Sequence, residues 1–270
     1  MFQRLTGLLL AVALCLSAYG VQAADNRLIL TGSSTVAPLV LEMAKRYEQQ
    51  HPQVRIDVQT GGSTRGVNDT RTGLAHIGMA SRNLKPTETG LRVHTIAIDG
   101  VGIIVHRSNP ISSLSNTQII DIYTGKIRNW KDVGGRDLSI TVVNKAEGHS
   151  TLELFLNYFA LKNSQVRPSI IIGDNEQGIK TVAGNPGAIG YVSIGAAEFS
   201  QARGVTIKRL PLEGVAASVA EVQAHRFPLA RPLNLLTGKS PSPLARRFIA
   251  FAQSEAVADL IADQFFVVPR

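Results

Sequence analysis

The sequence predicts an α/β protein with a largely parallel sheet, and three observations carry that expectation. Short apolar runs recur ahead of polar, glycine-containing loops. Each such loop opens a stretch with helical apolar spacing, and the order of elements repeats as β-α-β-α-β. "RLILTGSST" (27–35) is a short apolar strand entering a polar loop. Residues 36–50 then place Val36, Leu39, Val40, Met43, Ala44 and Tyr47 on one helical face. Pro38 suits the first turn, where its missing N–H is not needed. "VRIDVQT" alternates as a strand, "GGSTRG" follows, a helix is expected from Val67, and "AHIGMAS" is the third strand. In "VHTIAIDGVGIIVH" two apolar runs flank Asp99 and Gly100, a pair able to carry the chain between lobes. Ser115 caps a helix through Tyr123, and "LSITVVN" (138–144) is a buried strand leading into Glu147-Gly148-His149-Ser150-Thr151. A helix from Thr151 to Leu161 and a strand over "GAIGYV" (187–192) come next. The pattern is then less regular until "ARRFIAFAQS" and "AVADLIADQF" supply C-terminal helices, with Ser240 or Ser242 as cap.

The first 23 residues read as a secretory signal peptide rather than as part of the fold. Arg4 forms the positive n-region, Leu8 to Leu16 the apolar h-region, and Val21-Gln22-Ala23 the small-residue cleavage signal. The apolar stretch falls short of the roughly 20 residues that span a bilayer. Cys15, the single cysteine, lies inside the h-region between Leu14 and Leu16, not in the setting of a lipidated cysteine. The mature chain is therefore free of thiols and relies on packing, which excludes thiol catalysis and cysteine metal sites. Residues 24–270 suffice for two lobes of about 100 to 150 residues. Formal charge is +8, lowered by one when Arg4 leaves, and points to an anionic ligand or surface. The basic residues are scattered, without the interleaved aromatics that stack single-stranded bases, so nucleic acid is not an expected partner.

Three small, hydroxyl-rich loops open helices: Gly32-Ser33-Ser34-Thr35, Gly61-Gly62-Ser63-Thr64 and Gly148-His149-Ser150-Thr151. The first N–H groups of a helix lack partners and carry partial positive charge, so such an end attracts an anion. Ordinary N-capping explains any one of these loops. In a parallel sheet, however, strand carboxyl ends and helix N-termini share one edge, so all three can converge.

A serine hydrolase is the competing reading, with Ser150 as nucleophile. A nucleophile elbow needs Gly-x-Ser-x-Gly, and here Leu152 stands where the second glycine belongs. His149 is adjacent to Ser150 in sequence, which does not orient an imidazole on it. His51, His76, His94, His106 and His225 stand singly without an i, i+4 pair, so no zincin-type metal site is expected. "GGSTRGV" lacks the Gly-Lys-Ser/Thr of a P-loop.

The ordered blocks "GSSTVAPL", "GGSTRG", "IGMASRNL", "AIDGVGIIVHRSNP", "IDIYTGKIRNW" and "EGHST" resemble the PstS family of phosphate-binding proteins of ABC importers, over essentially the whole mature chain. The resemblance implies a type II periplasmic-binding-protein fold, an α/β structure of two lobes with a ligand cleft between them. Lobe 1 would comprise 24–99 and 194–270 and lobe 2 residues 100–193, with Asp99-Gly100 as the first hinge. It implies ligand donors at Ser33, Ser34 and Thr35, at Ser63, at Ser81 and Arg82, and in the loop Gly148, His149, Ser150 and Thr151. The family's usual serine and second glycine in that loop are His149 and Ser150 here, Thr151 is the clear match, and Lys145 stands where an arginine is usual. Arg82 stands where some members carry an aspartate that accepts the hydrogen of monohydrogen phosphate; Asp57, Asp99 and Glu147 are the other candidate acceptors, each also suited to a structural ion pair.

The expectation is a non-enzymatic, monomeric periplasmic protein that binds phosphate or a similar tetrahedral oxyanion, uses no cofactor or metal, and delivers its ligand to an ABC transporter permease. The alternatives are a secreted phosphatase or esterase using Ser150, and a sensory or surface protein on the same scaffold.

Overall fold

The computed structural model describes residues 26–269. The expected signal peptide lies outside these residues. Strand β1 (Arg27–Gly32) leads into α1 (Ala37–Gln50), which buries the expected Leu39, Val40, Met43, Ala44 and Tyr47 together with Ala37, while the expected Val36 is buried as the residue ahead of the helix. Then come β2 (Arg55–Thr60), α2 (Ser63–Thr72) and β3 (Ile77–Ala80), with β2 and β3 flanking β1 in parallel. Helix α2 begins at Ser63, four residues ahead of expectation. Gly62, at φ +87°, turns the chain and makes Ser63 the first helical residue.

The two apolar runs around Asp99 form one strand, β4 (Leu91–His106). The chain continues through α3 (Asn116–Tyr123), held by a Ser115/Gln118 capping box, then β5 (Thr141–Lys145), α4 (Ser150–Tyr158) and β6 (Ile170–Ile172). It proceeds through α5 (Asn175–Ala183), β7 (Ala188–Ser193), α6 (Ile194–Ala202), β8 (Ile207–Leu210), α7 (Val219–Gln223) and β9 (Ala230–Gly238). Helices α8 (Pro243–Ala252), capped by Ser242, and α9 (Ala258–Asp263) complete it. Among the described residues no helix is long and apolar enough to cross a membrane.

The sheet order is β2-β1-β3-β9-β4-β7-β5-β6, with β8 also on β4. Residues 91–100 of β4 pair with β9, and residues 101–106 pair with β7 and β8. One antiparallel ribbon, β4 with β9, thus joins two α/β lobes. The first lobe packs Leu30, Met43, Met79, Leu235 and Phe248 into one core. In the second, Ile103 and Val105 face a core with Tyr123, Trp130 and Phe155, while Ile104 faces another with Val143 and Ile179, as strand alternation requires.

Residues 194–229, expected in lobe 1, pack on lobe 2. β8 pairs with residues 103–106, and Leu210, Leu212, Val222 and Phe227 join the second lobe's core. The chain returns at Ala230, because β9 and not the segment after β7 is the strand that pairs with the first half of β4.

Close packing of α2 on the sheet brings its N-terminus to the strand ends. A Cβ at Gly66 would lie 2.6 Å from the Met79 carbonyl oxygen and 2.7 Å from that of Thr31. Both are backbone atoms that cannot swing aside, so Gly66→Ala should lower stability by about 1–3 kcal/mol in thermal or denaturant unfolding. An unchanged midpoint would show that the helix can lift without cost.

Candidate anion-binding site

The carboxyl ends of β1, β2, β3 and β5 and the N-termini of α1, α2 and α4 meet between the lobes. At the first loop Ser33 Oγ accepts from the N–H groups of Thr35 (3.2 Å) and Val36 (3.3 Å) and donates to Ser81 Oγ at 3.0 Å. Ser81 N–H donates to Ser63 Oγ at 3.1 Å, and Ser150 Oγ–H donates to the same Ser63 oxygen. Ser33, Ser63, Ser81, Ser150 and Thr151 are all at most 2 % exposed. Four of the expected donors, Ser33, Ser63, Ser81 and Ser150, one from each of four loops, therefore form one connected group.

Its centre is a residue the sequence reading did not single out. Arg231, on β9, has a fully buried side chain. Its Nε and Nη2 donate to Asp99 Oδ2 at 3.1 and 2.9 Å, and Asp99 Oδ1 accepts from Gly195 N–H at 3.2 Å. The outer edge of the guanidinium faces the hydroxyls: Nη1 reaches Thr151 Oγ1 at 2.9 Å and Ser81 Oγ at 3.4 Å, and Nη2 reaches Thr35 Oγ1 at 3.3 Å. Thr35 and Ser81 belong to the first lobe and Thr151 to the second. Asn175, at the start of α5, adds a further donor to Thr35 Oγ1 at 3.1 Å. Asp99 and Arg231 are register partners on the joining ribbon, so the strand pairing itself fixes the ion pair.

The remaining expected residues take other places. Ser34 is partly exposed and lines a neighbouring cleft of about 480 Å³ with Thr35, Asp174 and Asn175. The Gly148 carbonyl accepts from Thr64 N–H at 3.2 Å, and a Cβ at Gly62 would come within 2.5 Å of it, so the lobes meet backbone to backbone here. His149 is the N-cap residue of α4 without a side-chain cap, and burial, then the neighbouring Lys145 charge, push its pKa down and favour the neutral ring.

Arg82 is the clearest correction, because its guanidinium does not reach the hydroxyl group. Nη1 and Nη2 donate to the two carboxylate oxygens of Glu88 at 2.7 and 2.8 Å. Nε lies 3.0 Å from Glu153 Oε2 on α4, an ion contact without hydrogen-bond alignment. Burial opposes the charged form of Arg82, but Glu88 and Glu153 outweigh it and raise its pKa. Lys85 also contacts Glu153, at 3.1 Å, so Arg82 and Lys85 form an ionic clasp between the lobes. Nor do the three candidate acceptor carboxylates stand free at the site. Asp57 pairs with Arg27 at the surface, Glu147 is exposed and accepts from Asn163, and Asp99 is committed to Arg231.

Lys145, the last residue of β5, is 2 % exposed, and its ammonium nitrogen has no hydrogen-bond partner among the described residues. Burial lowers its pKa to about 7; Asp174 pulls it upward and Arg231 pushes it down.

Two α/β lobes joined by paired crossover strands, with helix N-termini facing each other across the cleft, define a binding protein of the type II periplasmic-binding-protein fold. The chain belongs to the PBP superfamily, whose domain model matches residues 17–256. It is similar to the phosphate-binding protein PstS of Bacillus subtilis, 29 % identical over 93 % of this chain and 83 % of that one. It is also similar to PstS of Borreliella burgdorferi, 26 % identical over 92 % of this chain and 93 % of that protein. A solved Clostridium perfringens substrate-binding protein assigned to phosphate ABC transport, with bound phosphate, superposes with a TM-score of 0.84. It is 31 % identical, and the match covers 91 % of this chain and 100 % of that one.

Proposed function

We propose that this chain is a periplasmic receptor that captures inorganic phosphate, or a closely similar tetrahedral oxyanion, and presents it to an ABC transporter permease. The observation that carries the reading is the convergence of Thr35, Ser81 and Thr151 on the buried Arg231 guanidinium, with Ser33, Ser63 and Ser150 linked to them through Ser81. Hydroxyl and amide donors spread an anion's charge, the guanidinium adds a charge-assisted contact, and lobe closure excludes water. The similarity to phosphate-binding proteins supports the same ligand class, and the signal-peptide pattern in the first 23 residues supports export. Ser150 acts as a donor rather than a nucleophile in this reading, since its hydroxyl is turned to Ser63 and not to an imidazole. No bond is made or broken.

Calorimetric titration of the mature, ligand-stripped protein with phosphate and then sulfate tests the proposal; absence of binding to either would reject it. Thr151→Val keeps the side-chain volume and deletes the hydroxyl that meets Arg231. Affinity for phosphate should fall about tenfold or more, and the loss of a buried partner of the guanidinium should lower the melting temperature without unfolding the protein. Unaltered affinity would remove this loop from the site.

A further inference from the structure

Arg231 and Asp99 cancel one another, so the formal charge of the donor cluster is left to Lys145. This lysine ends β5 at the sheet edge where the loops converge, three residues ahead of Gly148, and its ammonium is enclosed with no acceptor among the described residues. The charged or titratable groups facing it are Asp174 from the cap of α5, Arg231 from β9, His149 from the loop before α4, and Tyr191 from β7, whose hydroxyl accepts from the Lys145 amide. Asp174 is the carboxylate whose charge acts on Lys145, yet it is engaged in capping α5 through Gln177 N–H at 2.7 Å. An enclosed ammonium lacking an acceptor sheds its proton readily, and a bound oxyanion supplies the missing negative charge.

We propose that Lys145 is a specificity-determining residue of the oxyanion site that takes up a proton from solvent as the anion enters, so that anion and proton are captured together. The inference rests on the oxyanion-receptor reading. Lys145 then matches the charge of the incoming ligand while the permanent Arg231–Asp99 pair supplies geometry. The same lysine, held near a pKa of about 7 before binding, makes capture sensitive to mild alkalinity. Affinity is lost as pH rises from that value toward the higher pKa of the occupied site.

The test is calorimetric titration of ligand-stripped protein with inorganic phosphate in buffers of different ionisation enthalpy, comparing wild type with Lys145→Arg. Phosphate's own protonation enters both measurements and cancels in the difference. At pH 8 wild type should take up about one proton more per site than the variant, and its relative affinity should fall about tenfold between pH 7 and pH 8.5. Equal proton counts with binding intact would overturn the inference and leave the receptor reading standing. Absence of phosphate and sulfate binding by wild type would overturn both. Should Lys145→Arg not fold, the Cε resonance of Lys145 in ¹³C-lysine-labelled wild type gives an independent readout. Its titration midpoint should lie near pH 7 without phosphate and at least one pH unit higher with it, and an unmoved midpoint sinks the idea.

Discussion

Arg231→Met is expected to abolish measurable oxyanion binding and to destabilise the protein in the same step. The substitution removes the guanidinium that Thr35, Ser81 and Thr151 face. It also strands Asp99, which keeps only the Gly195 amide as partner. Breaking a buried ion pair from one side costs about 3–5 kcal/mol, because the remaining charge has lost its compensation. Asp99→Asn added to Arg231→Met should recover most of that stability without recovering binding. Arg231→Lys should bind weakly, since a point charge cannot address Asp99 and two lobes at once as the planar fork does. Melting curves and phosphate titrations of the three variants decide the matter; normal affinity in Arg231→Met would remove the arginine from the site.

Lys145→Met should act in the opposite sense on stability. The folded protein holds this lysine near pKa 7, well below the ordinary 10.5. Between those values the unfolded chain binds more protons than the folded one, so this group makes stability rise with pH across that window and exacts its full cost below pH 7. The gap corresponds to a ceiling of roughly 4–5 kcal/mol, and a gain of about 2 kcal/mol on replacement by methionine is expected at pH 7 after structural relaxation. Ligand-free Lys145→Met should therefore melt several degrees above wild type at pH 7, with the margin narrowing toward pH 10. It should also bind phosphate more weakly. A lower melting temperature at pH 7 would show that the ammonium has found compensation.

The hydroxyl loops were legible because each is local, a strand, a small-residue turn and a helix within about ten residues of one another. The order of these units also announced the parallel sheet. Arg231 escaped because its partner Asp99 lies 132 residues away. In retrospect each is the lone charge in a mostly apolar segment of its strand, Asp99 in "IAIDGVGII" and Arg231 in "LARPLNLL". Two such isolated opposite charges identify a pairing that composition and motif spacing overlook. Arg82 was misplaced for the converse reason: the loop around it matched expectation, while Glu88 and Glu153 decided where its side chain went. The lobe boundary was misjudged because β8 has four residues and α7 five, too short to show periodicity.

The β4–β9 ribbon has a mechanical consequence. If the lobes part by twisting this ribbon, Asp99 and Arg231 lie on the axis and move least, while Ser63 and Ser150 separate. A ligand arriving at the open receptor would then meet an arginine already aligned. The closing stroke brings the neutral hydroxyls of Ser150 and Thr151 onto the cluster and forms the Arg82/Lys85–Glu153 clasp beside it. Such a device favours rapid capture, and it favours rapid release once something else holds the lobes apart.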